Sequence, residues 1–490
     1  MSDKTKIIIE PDQGSRKISR YIYGNFAEHL GKCIYNGIWV GKDSTIKNEQ
    51  GIRKDTAGAL KDLDLPVLRW PGGCFADNYH WKDGIGPRNK RPKRHNLWWN
   101  QPESNHFGTD EFLHFCKMIG VEPYICLNVG SGTVEEARAW VEYCNSEQFT
   151  LITEQRRKNG QLKPYNVKFW GIGNENWGCG GSMKPEYYAD LYRRFATYVR
   201  GTAGEGSKLI ACGSHPGIPE WDEIFLKGMR GALELVDYIA IHIYSGAGAS
   251  DINFKEEDYY RLISSIDIMD DNISRVSALV RSYSSPGHSI GVILDEWGTW
   301  YKEATVQTGL YQQNTMKDAL FTAVSFHCFH NHERLFMTNM AQTVNVLQSL
   351  VLTEGGKAIL TPTYYIYDMF KPHKDAILVS SKVEKNAIMD LPDGKTKEAI
   401  SVSATVSEDK KELFLSIINL DLINSIDADI SVVSDEKWEI KEIRQLSSTD
   451  IHDHNTFSKP NKVKPLEIKS KIVNKFPVMS VTTVKMKIVS

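Results

Sequence analysis

Residues Phe169 to Gly181 read FWGIGNENWGCGG. An apolar run stops abruptly at Glu175, which is flanked by the amides of Asn174 and Asn176 and followed by glycines. A strand that only had to turn has no use for a carboxylate there, so the stretch reads as a buried strand whose end carries chemistry. Similar runs recur on either side: YIYGNF (21–26), PVLRW (66–70), PYICLNVG (123–130), KLIACGS (208–214), DYIAIHIYS (237–245), IGVILDEW (290–297) and RLFMTNM (334–340). Amphipathic helical patterns separate them. One begins at Thr109 as N-cap and stops at Gly120; another opens on a Thr133/Glu136 capping box; a third carries Pro185 in its first turn and ends at Gly201.

Eight strand–helix units over about 340 residues predict an α/β fold of the (β/α)8 TIM-barrel type. An open doubly wound sheet would show a glycine-rich phosphate loop after an early strand, and none is present. Near residue 360 the texture changes. AILVSSKV (376–383), AISVSATVS (399–407), KELFLSIINLD (411–421), ADISVVS (428–434), WEIKEIRQL (438–446) and VMSVTTVKMKIVS (478–490) alternate with period two. They predict a C-terminal antiparallel β-sandwich, jelly-roll-like, joined by the opening strand TKIIIEPD (5–12). The expected organisation is an N-terminal strand in 1–17, the barrel in 18–362 and the sandwich in 363–490.

The totals narrow the function. With 59 Lys and Arg against 61 Asp and Glu, the net charge of −2 gives no field to gather nucleic acid or acidic membranes. The local run RNKRPKRHN (88–96) is basic at six of nine positions; it reads either as a solvated loop or as a contact for an acidic partner or neighbouring subunit. No run reaches about 18 apolar residues, so no membrane span is expected. MSDKTKIIIEPDQG lacks a basic start followed by an apolar stretch, and the simplest expectation is a cytoplasmic chain; one whose signal had been removed would look the same. Eight cysteines without CxxC spacing exclude a zinc ribbon. His327, His330 and His332 look metal-like, but with no carboxylate in register they read as structural, and no metal is expected.

In a barrel the working residues sit where strands end. Those positions hold Asn25, Glu28, His29, Arg69, Cys74, Asp77, Asn78, Asn128, Asn174, Glu175, His242, Tyr244, Asp295, Glu296, Asn345 and Gln348. Carboxylates and neutral hydrogen-bonding groups suit a polyhydroxyl ligand better than a phosphate. Glu175 and Glu296 end the fourth and seventh strands and both reach toward the axis. Two facing carboxyl groups are what glycosidic cleavage needs, one protonated and one ionised. Trp98, Trp99, Trp177, Trp297 and Trp300 fall in loops after the strands, with Trp99, Trp177 and Trp300 the candidates for leaving-group contact. Cys74 and Cys179 each follow a strand-end glycine turn, and either a disulfide or two buried thiols fits them.

LRWPGGCFADNYHWKDGIGPR, GIGNEN, ILDEWGTWY and AQTVNVLQ, in this order along the chain, resemble the α-L-arabinofuranosidases of glycoside hydrolase family 51. The resemblance runs from about residue 20 to FPVMSVTTVKMKI at the C-terminus, and FHCFHNHER is its loosest segment. It implies a retaining exo-hydrolase acting on arabinoxylan, arabinan or arabino-oligosaccharides without a cofactor, with Glu175 as acid/base and Glu296 as nucleophile. It further implies Glu28, Arg69, Asn174, Tyr244 and Gln348 as sugar binders, with Arg69 holding Glu296 ionised, Tyr244 orienting it and Asn174 donating to the sugar 2-hydroxyl, Cys74 and Asn345 as pocket walls, and a homo-oligomer, often a hexamer. A β-xylosidase or endo-glucanase on the same fold is the alternative within the class. A non-catalytic carbohydrate-binding protein is the alternative outside it, although both carboxylates are present.

Overall fold

The computed structural model describes residues 4–391 and 393–489. Residues 1–3, in the expected N-terminal segment, and Pro392 and Ser490, in the expected C-terminal one, lie outside the described residues. Eight parallel strands close a barrel: β1 (Gly24–Phe26), β2 (Val67–Trp70), β3 (Glu122–Leu127), β4 (Phe169–Ile172), β5 (Lys208–Cys212), β6 (Tyr238–Ser245), β7 (Gly291–Thr299) and β8 (Leu335–Ala341). Around them run α1 (Lys54–Asp62), α2 (Thr109–Ile119), α3 (Val134–Asn145), α4 (Leu151–Lys158), α5 (Pro185–Ala203), α6 (Trp221–Gly228), α7 (Glu256–Tyr283), α8 (Met316–His330) and α9 (Pro362–Phe370).

Every strand expected from the sequence forms, with shifted ends. The first is shorter, because residues 20–23 wind into a 3-10 turn instead. That turn swings Tyr21 under the barrel, where its ring meets Phe169 edge-on at 5.1 Å. Val67, Tyr124, Phe169, Ile210, Ala240, Ile293 and Met337, one from each of seven strands, fill the same layer. The bottom of the barrel is therefore packed solid, and its polar residues are left to the opposite, C-terminal rim.

Three helix ends differ from expectation. Gly108 caps α2 and Thr109 is its first residue, while Gly120 closes the helix at φ 77°. The Thr133 hydroxyl accepts from the Glu136 N–H, but the Glu136 carboxylate turns to His80 Nδ1 at 3.0 Å, so the reciprocal box is lost. α5 continues through Gly201 to Ala203, since packing against α3 and α6 outweighs one helical glycine.

The C-terminal region forms β9 (Ile377–Glu384), β10 (Ile400–Val406), β11 (Glu412–Asn419), β12 (Ile426–Val432), β13 (Trp438–Ser447) and β14 (Ser480–Ile488). The N-terminal strand Thr5–Lys17 lies between β9, antiparallel to it, and β12, parallel to it. β9 and β10 share only the pairs Ile377–Val406 and Leu378–Thr405, so the sheet divides there into two leaves, as a sandwich requires. α8 seats this domain on the barrel. His327 bonds Ser401 and Ser416 at 2.8 Å each, and His330 bonds Ser403 at 2.8 Å and Tyr23 at 2.6 Å. Two of the three metal-like histidines are thus structural. Trp297 packs edge-on against Phe326 and Phe329 and belongs to the core, not to a loop above the barrel. Among the described residues no helix is long and apolar enough to cross a membrane.

Candidate active site

The strand ends meet in one polar cluster. Along β6 and β7 the pairing runs Ile241–Leu294 and then His242–Glu296, skipping Asp295. The extra residue is a β-bulge, which re-aims the strand so that both acids bury their side chains against Arg69. Arg69 Nη1 donates to Glu296 Oε1 at 2.8 Å, its Nη2 donates to Asn174 Oδ1 at 2.5 Å, and its Nε lies 3.1 Å from Asp295 Oδ2. Tyr124 and Asn339 donate to the two Asp295 oxygens at 2.8 Å each. Tyr244 donates to Glu296 Oε2 at 2.8 Å. Burial alone would raise the Glu296 carboxyl. The His242 and Arg69 charges, with hydrogen bonds from Arg69 and Tyr244, outweigh burial and hold it below the ordinary carboxylate range.

Glu175 faces this assembly from the end of β4, on a left-handed backbone at φ 42°. Its Oε1 lies 2.8 Å from His242 Nδ1, and the same nitrogen is 3.7 Å from Glu296 Oε2. One carboxylate oxygen each of Glu175 and Glu296 and a ring nitrogen of His242 fall within 4.8 Å of one another. The Glu175 side chain is 19% exposed against 7% for Glu296, so the first faces the mouth and the second the floor. These three groups are close enough to share a cation, but the guanidinium already on Glu296 opposes one.

Asp77 latches the Glu175 turn from below. Its Oδ1 accepts the N–H groups of Val129 and Gly130 at 2.6 and 2.7 Å, and its Oδ2 that of Asn174 at 2.7 Å. Burial lifts this carboxyl to about 7. On the other side, Glu28 accepts from Trp99 Nε1 at 3.0 Å, the Phe75 N–H at 3.1 Å and Gln342 Nε2 at 3.0 Å. Burial and the nearby Glu296 charge push Glu28 up to about 7. Cys74 and Cys179 form a disulfide with sulfurs 3.9 and 3.5 Å from Glu175 Oε2, which settles the alternative the sequence left open.

Glu28, Arg69, Cys74, Asn174, Glu175, Tyr244 and Glu296 therefore converge, with Trp99 on Glu28 and Trp300 edge-on to Tyr244 at 5.2 Å. Trp177 stands beside Glu175 in the chain, its indole N–H on the Gly213 carbonyl at 3.0 Å. Gln348 does not join them as a sugar contact. It is fully buried, its oxygen accepts the Thr299 N–H at 3.0 Å, and its amide nitrogen is spent on the Asp318 carbonyl, Thr322 and Thr363. The Asn345 amide is likewise spent, on Lys32 and Thr353. Gln342 has a site position that the sequence reading does not name, and His242, named there as a strand-end residue, carries no role in that reading.

The family described as alpha-L-arabinofuranosidase 1 domain matches residues 59–261, and the alpha-L-arabinofuranosidase C-terminal domain matches residues 295–485. An intracellular exo-alpha-L-arabinofuranosidase of Bacteroides ovatus is 42% identical, covering 98% of this chain and 95% of its own. A probable alpha-L-arabinofuranosidase C of Aspergillus niger is 34% identical over 88% of each chain. The crystal structure of a GH51 arabinofuranosidase from Xanthomonas axonopodis pv. citri matches with a TM-score of 0.93 at 36% identity, covering 99% of this chain and 100% of that one. An alpha-L-arabinofuranosidase from Thermotoga maritima, solved as an arabinose complex, matches at 0.86 and 32% identity over 99% and 100%.

Proposed function

Since this chain belongs to the α-L-arabinofuranosidases of glycoside hydrolase family 51, we propose that it removes terminal α-L-arabinofuranosyl residues from non-reducing ends with retention at the anomeric carbon. The observation that supports the mechanism is that one carboxylate oxygen of Glu175 and one of Glu296 lie within 4.8 Å of each other beside His242, too close to leave room for an intervening water. Retaining enzymes hold their carboxyl groups about 5–5.5 Å apart, whereas inverting ones leave about 6.5–9.5 Å for a water.

Glu296, kept anionic by Arg69, His242 and Tyr244, attacks the anomeric carbon. The bond from that carbon to the glycosidic oxygen breaks as Glu175 gives its proton to that oxygen, and the alcohol leaves. Glu175, now a carboxylate, takes a proton from water, whose oxygen attacks the glycosyl ester and frees Glu296. Asn174 spends its oxygen on Arg69 and makes one long contact from its amide nitrogen to Cys179 Sγ at 4.0 Å, which leaves an N–H for the sugar 2-hydroxyl. Glu28 and Arg69 bind the remaining ring hydroxyls, and the Cys74–Cys179 bridge walls the pocket beside the acid. Trp99, Trp177 and Trp300 receive the leaving group. The substrate is an arabinose-containing glycan; arabinoxylan, arabinan and arabino-oligosaccharides all present the terminal ring this pocket takes. A homo-oligomer working in the cytoplasm completes the proposal.

Glu175→Ala is the test. Hydrolysis of an arabino-oligosaccharide is expected to fall by about 10²–10⁴, while azide restores turnover of an aryl arabinofuranoside. Near wild-type activity of that variant would overturn the acid assignment. Faster cleavage of para-nitrophenyl β-xylopyranoside than of the α-L-arabinofuranoside would overturn the substrate assignment.

A further inference from the structure

One cluster of reactive side chains lies on the outer wall of the barrel and takes no part in glycoside cleavage. α7 presents Asp270, the last turn of α8 presents Cys328, and His332 follows just beyond the helix end at Asn331. His332 Nε2 lies 2.8 Å from Asp270 Oδ1, and Cys328 Sγ lies 3.6 Å from that oxygen and 3.8 Å from that nitrogen. A tetrahedral zinc ion, with bonds of about 2.3 Å to sulfur and 2.0–2.1 Å to nitrogen or oxygen, sets edges of roughly 3.6 Å to sulfur and 3.3 Å between the lighter ligands. Two of the three edges are already at that length. The third must open by roughly 0.5 Å, as one hydrogen bond gives way to two metal bonds.

We propose that Asp270, Cys328 and His332 form a binding site for a zinc-class divalent cation that staples α7 to the end of α8, with solvent in the fourth position. The donor set suits a borderline-soft metal: thiolate and carboxylate neutralise a dication, and imidazole completes a mixed sulfur, nitrogen and oxygen shell. The other free cysteines, Cys33, Cys116, Cys126, Cys144 and Cys212, are buried, and Cys328 alone of the free thiols is partly open to solvent. Two cations stand nearby: Lys397 is held at 2.6 Å by Asp267, one turn before Asp270, and Arg16 donates to the His330 carbonyl. The Asp270 side chain is 56% exposed, which gives the ion a path in. On binding, the Cys328 thiol loses its proton to solvent, and the His332 N–H moves from Nε2 to Nδ1, freeing the Nε2 lone pair for the metal.

The test titrates the chelator-stripped full chain with Co²⁺ alone. One equivalent is expected to saturate a thiolate-to-cobalt charge-transfer band in the near ultraviolet, with release of a proton. Zn²⁺ should bleach the band and raise Tm. Cys328→Ser should abolish the band while keeping arabinofuranosidase activity, which shows that the variant is folded. Asp270→Asn, on an exposed helix face, should weaken binding by about tenfold or more. Absence of a saturable band, or a band that survives Cys328→Ser, would overturn the site. Cobalt held by Glu175, His242 and Glu296 would give no thiolate band, so the two locations are distinguishable.

Discussion

At the scale of single residues, the site depends on keeping Glu296 ionised. Its carboxyl is held low in the folded chain, so activity should persist as pH falls through the ordinary carboxylate range and fail only below the lowered value. Tyr244→Phe removes one donor to Oε2, and the acid limb of kcat/KM should move up by roughly half to one pH unit. A pH–rate profile of that variant superimposable on wild type would contradict the role. Gly73 imposes a second demand. A Cβ there would lie 2.6 Å from Glu296 Oε1, so Gly73→Ala should displace the nucleophile and lower kcat by about 100-fold with the fold intact. The two glutamates and Arg69 could be read from the chain because strand-end position alone sends a side chain to the rim. Gln348 could not. Whether an amide is free or consumed depends on Thr299, Thr322 and Thr363, partners that no local pattern announces. The carboxylate beside His332 is hidden from the sequence for the same reason: Asp270 comes from a helix 62 positions away.

At the scale of elements, the bulge in β7 and the Asp77 latch do what strand order cannot. The eight runs of apolar residues disclose the barrel, but not that Asp295 is skipped in the β6–β7 register, which is what turns consecutive acids onto one guanidinium. Asp77 ties the loop after β2 to the loops after β3 and β4. Asp77→Ala leaves three backbone N–H groups without an acceptor and should cost about 2–4 kcal/mol, measured by urea unfolding, with a fall in kcat as the Glu175 turn loosens. The basic run at 88–96 is mostly self-satisfied. Arg88 and Arg91 clasp Glu111 at 2.7 and 2.9 Å and Arg94 holds Asp83 at 2.8 Å, pairings that a one-dimensional count of charge does not show.

At the scale of the molecule, the seam between barrel and sandwich is lined by His327, His330 and His373, all buried. Burial lowers His327 to about 3 and the other two well below their ordinary value. Their unfolded pKa is about 6.5, so the unfolded chain takes up protons first. Stability is therefore full above about pH 6.5 and declines as pH falls toward 3, by up to roughly 1.4 kcal/mol per pH unit for each histidine. Urea midpoints at pH 7 and pH 5 should show the decline, and His327→Gln should reduce its slope.

The N-terminal strand carries one more implication. Its neighbours on both sides are made from residues 377–384 and 426–432. During synthesis the opening segment must wait, with both edges bare, until nearly the whole polypeptide has left the ribosome. A truncated product, or a sandwich expressed without its first seventeen residues, would keep an open slot shaped for a β-strand, and gluey self-association is its natural fate.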